Sequence, residues 1–133
     1  MKIQKINAID KTNGVVISQV RDCKDTIDEV LENCGAYTSC IIVSLMEETN
    51  PLNGTNPNIK AVARCTGGDE FTTERGLDVA NTKADLKYHK RMVRDYDKYI
   101  ARMKKAIEDV EALRKAHVTK VDVITKSMEE FYQ

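Results

Sequence analysis

From residue 75 onward the chain places a bulky apolar side chain at every seventh position, and that repeat constrains its fold more than any other feature. Val79, Leu86, Val93, Ile100 and Ile107 form one series, and Tyr96, Met103 and Val110 form a second that falls three residues after the first. Apolar a and d positions at a strict period of seven predict a helix with a left-handed supercoiled seam. Thr82 and His89 hold the earlier d positions, so the seam begins imperfectly. Carried to about Lys115, such a helix has roughly forty residues and runs about 60 Å at 1.5 Å per residue. The core available to a chain of 133 residues cannot cover a rod of that length, so its far end must pack on another helix. Val118, Val121, Ile124, Met128 and Phe131 predict a second helix, folding back after a break near Ala116-His117. A second copy of the chain is expected to supply the rest of the cover. The alternative is a monomeric αα-hairpin leaning on a sheet.

The texture changes near residue 70. Before it lie short β-like runs, most of the Gly and Asn, and both prolines; after it there is one Gly and no Pro. Lys2 to Ile9 and Val15 to Val20 read as two strands joined across Thr12-Asn13-Gly14, a hairpin signal. Asp25 to Leu31 reads as a short helix stopped by Gly35. Tyr37 to Met46, the most apolar stretch, reads as the central strand, and Ile59 to Cys65 as another. Asn50 to Asn58 is a loop and Gly67-Gly68-Asp69 a turn. Thr72 or Thr73 can cap the long helix, with Glu74 in its first turn. The fold predicted is α+β: a small antiparallel β-sheet over 1–70 with one short helix, then over 71–133 a long helix and a second helix forming an oligomerising hairpin. The two parts together make one domain.

Lys plus Arg and Asp plus Glu are both 21, so global charge implies no partner and electrostatic arguments must be local. No apolar run approaches the roughly 18 residues of a membrane span, and Met1 to Lys5 lead into no signal-peptide core. The expected location is the cytoplasm, with Cys23, Cys34, Cys40 and Cys65 as reduced, half-buried thiols; their irregular gaps match no zinc site. Both histidines, His89 and His117, lack a catalytic or metal-binding partner pattern, so no catalytic residues, metal or cofactor are expected.

Charge is concentrated on the long helix. Lys83, Lys87, Lys90, Arg91, Arg94, Lys98, Arg102, Lys104 and Lys105 stand against Asp85, Asp95 and Asp97, with Tyr88, His89, Tyr96 and Tyr99 interleaved. Cations beside aromatic rings suit phosphates joined to a stacking base. The same run also reads as a solvated helix face laced with ion pairs, although Asp85 has no Lys or Arg three or four residues away.

A strand ending in Arg64-Cys65 leads to Asp69-x-Phe71 and, after four more residues, Gly76; the helix then carries Asn81-Thr-Lys-Ala-Asp-Leu-Lys-Tyr-His-Lys-Arg91. In this the chain resembles small proteins encoded by bacteriophages, and in architecture it is similar to the first family of Thoeris anti-defence proteins. The resemblance implies a sponge that binds a cyclic ADP-ribose isomer, in some members also cyclic oligonucleotides, without cleaving it. It also implies an oligomer built on dimers through the C-terminal helices. Carried over by position, Phe71 would stack on adenine and Asn81 would hydrogen-bond the base or a ribose. Arg21, with Arg91 or Arg94, would hold the pyrophosphate, and Arg21 and Arg64 are candidates for a separate cyclic-nucleotide site. Phe71 also reads as a core anchor at the sheet-to-helix junction. Two further readings use the basic helix differently: a protein-binding inhibitor, or a dimer that binds nucleic acid.

Overall fold

The N-terminal strands form where Ile and Val recur around a turn rich in Asn and Gly. In the computed structural model, which describes residues 3–49, 59–65 and 72–133, β1 (Gln4–Asp10) and β2 (Val15–Asp22) are an antiparallel hairpin. Gly14 takes φ 62°, the left-handed conformation that glycine adopts without a Cβ clash. Asp10 accepts from the backbone N–H of Asn13 at 3.1 Å and from its side-chain amide at 2.7 Å. These bonds hold the Asp10 carboxyl below its ordinary range.

α1 (Thr26–Asn33) follows, capped by Asp25, whose side chain accepts from the Asp28 N–H at 2.9 Å. α2 (Ala36–Thr49) is next, then β3 (Lys60–Arg64) and α3 (Thr73–Phe131). The sheet order is β1-β2-β3, with β3 antiparallel to β2, so β2 is the central strand. The fold is α+β as expected. The loop expected over Asn50–Asn58 and the turn at Gly67-Gly68-Asp69 lie outside the described residues.

Two expectations are corrected. Tyr37 to Met46 is part of α2 and not a central strand. Its apolar run has no clear period, and the β-branched Ile41, Ile42 and Val43 favour a strand on propensity alone. The helix nevertheless starts directly after Gly35: Ser39 donates to the Gly35 carbonyl and Ser44 to that of Cys40, both at 3.0 Å. Ser39 and Ile42, three apart, are buried, while Tyr37, Ile41 and Val43 are exposed. That is a helical pattern.

The hairpin is also replaced. α3 runs unbroken for 59 residues through Ala116 and His117, with no second helix folding back. Leu77 to Gln133 contains neither Gly nor Pro, so nothing interrupts the helical hydrogen bonds. The seam keeps its register as well: Val121 and Met128 continue the Ile107 series, and Ile124 and Phe131 continue that of Val110.

The chain forms two compact units, Met1–Asp97 and Lys98–Gln133. In the first unit one face of the sheet packs on α3. Val20, Ile59 and Ala61 cluster with Ala84, Tyr88 and Met92, and Val16 and Ala63 cluster with Ala80. The helix residues in these clusters fall four apart. Leu86 lies two residues from both Ala84 and Tyr88, roughly 160° round the helix from each. Accordingly Val79, Leu86 and Val93 are 38%, 53% and 58% exposed, whereas Ala80 and Ala84 are fully buried. The heptad seam is therefore not the face that builds this core. In the second unit Tyr99 is buried and Ile100, Ile107, Val110, Ile124 and Phe131 are exposed.

β3 is an edge strand. Its outward carbonyls at Lys60 and Val62 accept from the ammonium groups of Lys87 at 2.5 Å and Lys83 at 3.1 Å. No cysteine is in a disulfide; Cys23 and Cys65 are half-buried, Cys34 and Cys40 exposed. Among the described residues no helix is long and apolar enough to cross a membrane.

Because Ala84 is fully buried in the cluster between α3 and the sheet, Ala84→Leu is expected to overpack the interface. A loss of about 1–3 kcal/mol is expected. Lys104→Ala, on an exposed turn, should stay within about 0.5 kcal/mol. Thermal unfolding of the two variants beside the parent checks both values.

Candidate functional site

The cations of α3 divide by what they touch. Lys83 and Lys87 are taken up by the β3 edge, and Lys105 pairs with Asp109 on an exposed turn. Lys90, Arg91, Arg94 and Lys98 continue along the helix beyond Lys87; Arg91 is half-buried and the other three are exposed. Asp85, without a partner on its own helix, pairs with Lys5 of β1 at 2.5 Å. This contact spans 80 residues of sequence, so no reading of helix spacing alone reveals it.

On the β1 side of α3 lies a half-open cleft of about 650 Å³, lined by Ile3, Lys5, Lys24, Glu29, Asp85, Tyr88 and His89. The Tyr88 and His89 rings meet edge-on, with centroids 5.0 Å apart. The Tyr88 hydroxyl donates to the Lys24 carbonyl at 2.7 Å, and the Tyr96 hydroxyl donates to the Glu29 carboxylate at 2.7 Å. Both bonds tie α1 and its approach to α3. Burial pushes the Tyr88 phenol up to about 12, and burial together with the Glu29 carboxylate raises that of Tyr96. Lys5 and Lys24 line the cleft together with Glu29 and Asp85, Lys5 pairing with Asp85 and Lys24 with Glu32, so its walls are close to neutral. It offers a polar ligand both donors and acceptors, beside two rings. Among the described residues no cluster of His, Cys, Asp or Glu is placed to hold a metal ion.

The residues expected to form a ligand site are spread across the unit. Phe71 lies outside the described residues. Asn81 is engaged inside the helix–sheet interface: its side-chain oxygen accepts from Asn7 at 3.1 Å and from Ser18 at 2.8 Å. Arg21 follows Val20, which packs with Tyr88 and Met92, whereas Arg64 follows Ala63, which packs with Ala80. Ala80 and Met92 are twelve residues apart on the helix, about 18 Å. Arg21 and Arg64 therefore stand at opposite ends of the sheet. Met92, between Arg91 and Arg94 on the helix, packs at Arg21's end, whereas Asn81 bonds Ser18, midway along β2. Among the described residues of this set, none lines the cleft. Sequence reasoning missed Lys5, Lys24 and Glu29, which the hairpin and α1 bring to Tyr88; only the interleaving of Tyr88 and His89 with cations pointed there.

No family model, curated protein or solved structure matches this chain.

Removing the Asn81 amide leaves the hydroxyl of Ser18, a fully buried residue, without its acceptor. Asn81→Ala is expected to cost about 1–3 kcal/mol, read from urea unfolding. The tyrosines set an alkaline limit. Their folded pKa values lie above the unfolded value of about 10, so full stability is present below that pH. It falls as pH rises towards 12, because the unfolded chain releases the phenolic proton first. Tyr88→Phe should flatten part of that fall between about pH 10 and 12, measured as midpoint denaturant against pH.

Proposed function

We propose that this chain is a self-associating binding protein that captures a cyclic nucleotide signal and holds it without cleaving it. The ligand class is a cyclic ADP-ribose isomer or a cyclic oligonucleotide, as in the phage anti-defence proteins the sequence resembles, acting in the host cytoplasm. The observation that carries the reading is the two-sidedness of α3: one face packs the sheet, while the apolar heptad seam on the other stays exposed. Exposed apolar surface of that extent is a mark of an interaction site. The ligand class draws on the resemblance and on the cationic residues that remain beyond the β3 edge, Lys90, Arg91 and Arg94, which flank Met92 at Arg21's end of the sheet. The ring-lined cleft by Tyr88 and His89 adds a second surface for a polar ligand. The motif residue Phe71 is kept in this reading as the stacking platform.

The nucleic-acid reading loses ground on one observation. Lys83 and Lys87 bond carbonyls of β3, which removes two cations from any phosphate-tracking stripe. A duplex-binding dimer would show an affinity falling steeply with salt. A sponge would show little affinity for DNA at any salt. A protein-binding inhibitor would retain a protein and ignore small nucleotides.

Purified protein incubated with cyclic ADP-ribose isomers and cyclic oligonucleotides, then freed of unbound ligand and heated, should release one of them chemically unchanged. Arg91→Ala and Arg94→Ala should each weaken retention, by roughly tenfold to a hundredfold if the guanidinium makes a charge-assisted contact worth about 1.5–3 kcal/mol. Phe71→Ala should abolish it without changing the assembly. Release of a cleaved product, or retention by all three variants at the parent's affinity, would overturn the reading.

A further inference from the structure

We propose that the Lys98–Gln133 unit of α3 pairs antiparallel with the same unit of a second copy, in the register that sets Arg114 opposite the partner's His117. The inference rests on the self-association proposed above and is independent of the ligand. Between Ile100 and Phe131 the a and d positions are Ile100, Met103, Ile107, Val110, Arg114, His117, Val121, Ile124, Met128 and Phe131. All are exposed except Met103, which is half-buried. Arg114 and His117 are the only polar members, and they fall at the midpoint of the series. Reversing the chain therefore maps the seam onto itself. Ile100 meets the partner's Phe131, Met103 the partner's Met128, Ile107 the partner's Ile124, and Val110 the partner's Val121. Each layer joins an a position to a d position, as antiparallel pairing requires, and a single polar zone at the centre fixes the register. The paired stretch spans more than four heptads, enough for a self-standing coiled coil.

Charge selects this direction over the parallel one. Lys98, Arg102, Lys104 and Lys105 make residues 98–105 uniformly cationic, while 126–133 carry Lys126 against Glu129 and Glu130. In the proposed register the cationic stretch of each chain lies along the partner's acidic end. Parallel pairing would lay the two cationic stretches side by side and set Arg114 on Arg114 inside the seam. Like charges across a helical interface act against that pairing.

Two full-length variants, Met103→Cys and Met128→Cys, test the proposal. Each is oxidised alone and after mixing and equilibration, and linked peptides are identified by mass spectrometry, which separates them from links through native cysteines. Circular dichroism confirms the helix in each variant. The expected result is a 103-to-128 link in the mixture and no self-link in either variant alone, with sedimentation giving a dimer that Ile107→Asp dissociates at least tenfold. A 103-to-103 link would overturn the antiparallel direction while leaving self-association standing. A dimer with links at other layers would overturn the register. A monomer at tens of micromolar would overturn both this inference and the assembly part of the proposed function, whatever the nucleotide test shows.

Discussion

The structure depends on how closely α3 lies on the sheet. Ala80 and Ala84 present almost no side chain at the contact, so the helix backbone approaches Val16, Ser18 and Val20 of the central strand, and both alanines lose all their exposure. Further along, Tyr88 and Met92 cluster with Val20, Ile59 and Ala61. Because small residues make the contact, polar side chains at its margins reach across it: Asn81 to Asn7 and Ser18, Asp85 to Lys5, Lys83 and Lys87 to the β3 edge. An apolar stripe bordered by such bonds fixes rotation of the helix about its axis as well as its position. That fixed rotation turns the large aliphatic side chains of the seam away from the sheet.

Much of the fold is legible in the sequence, for identifiable reasons. The hairpin announces itself through Ile and Val on either side of Asn13-Gly14, and the short helix through the cap at Asp25. α2 is misread because ten apolar and hydroxyl residues in a row carry no periodicity, and the serine side-chain bonds that accompany the helix are a tertiary-scale detail. The break expected near Ala116-His117 rests on the need to cover a long rod and not on any Gly or Pro, and the link holds neither. Polar residues interrupt a seam without interrupting a helix, since the backbone bonds do not depend on them. The face that packs the sheet was hidden for a different reason: alanines spaced by four are quieter than valines and isoleucines spaced by seven.

The candidate site was less legible than the fold. Arg21 and Arg64 occur as similar basic residues at strand ends, and only the antiparallel register, with Val15 opposite Arg64, shows that they stand far apart. Asn81 enters as a ligand contact only through the resemblance, which carries a role over by position and takes no account of what the side chain meets in this fold. Its partners Asn7 and Ser18 lie 74 and 63 residues away in sequence. Tyr88 and His89 were noted for their rings, yet the lysines and carboxylates that complete their cleft come from β1, α1 and the segment before it.

The two lysines on the β3 edge have a consequence for the chain's behaviour in crowded solution. An edge strand invites an extended segment of another molecule to dock by main-chain hydrogen bonding, the first step of amyloid-type growth. Here the acceptors such a segment would need at Lys60 and Val62 are already occupied by ammonium groups, and displacing those would strand positive charge against the newcomer. The sheet is therefore guarded against templating a fibril from that side.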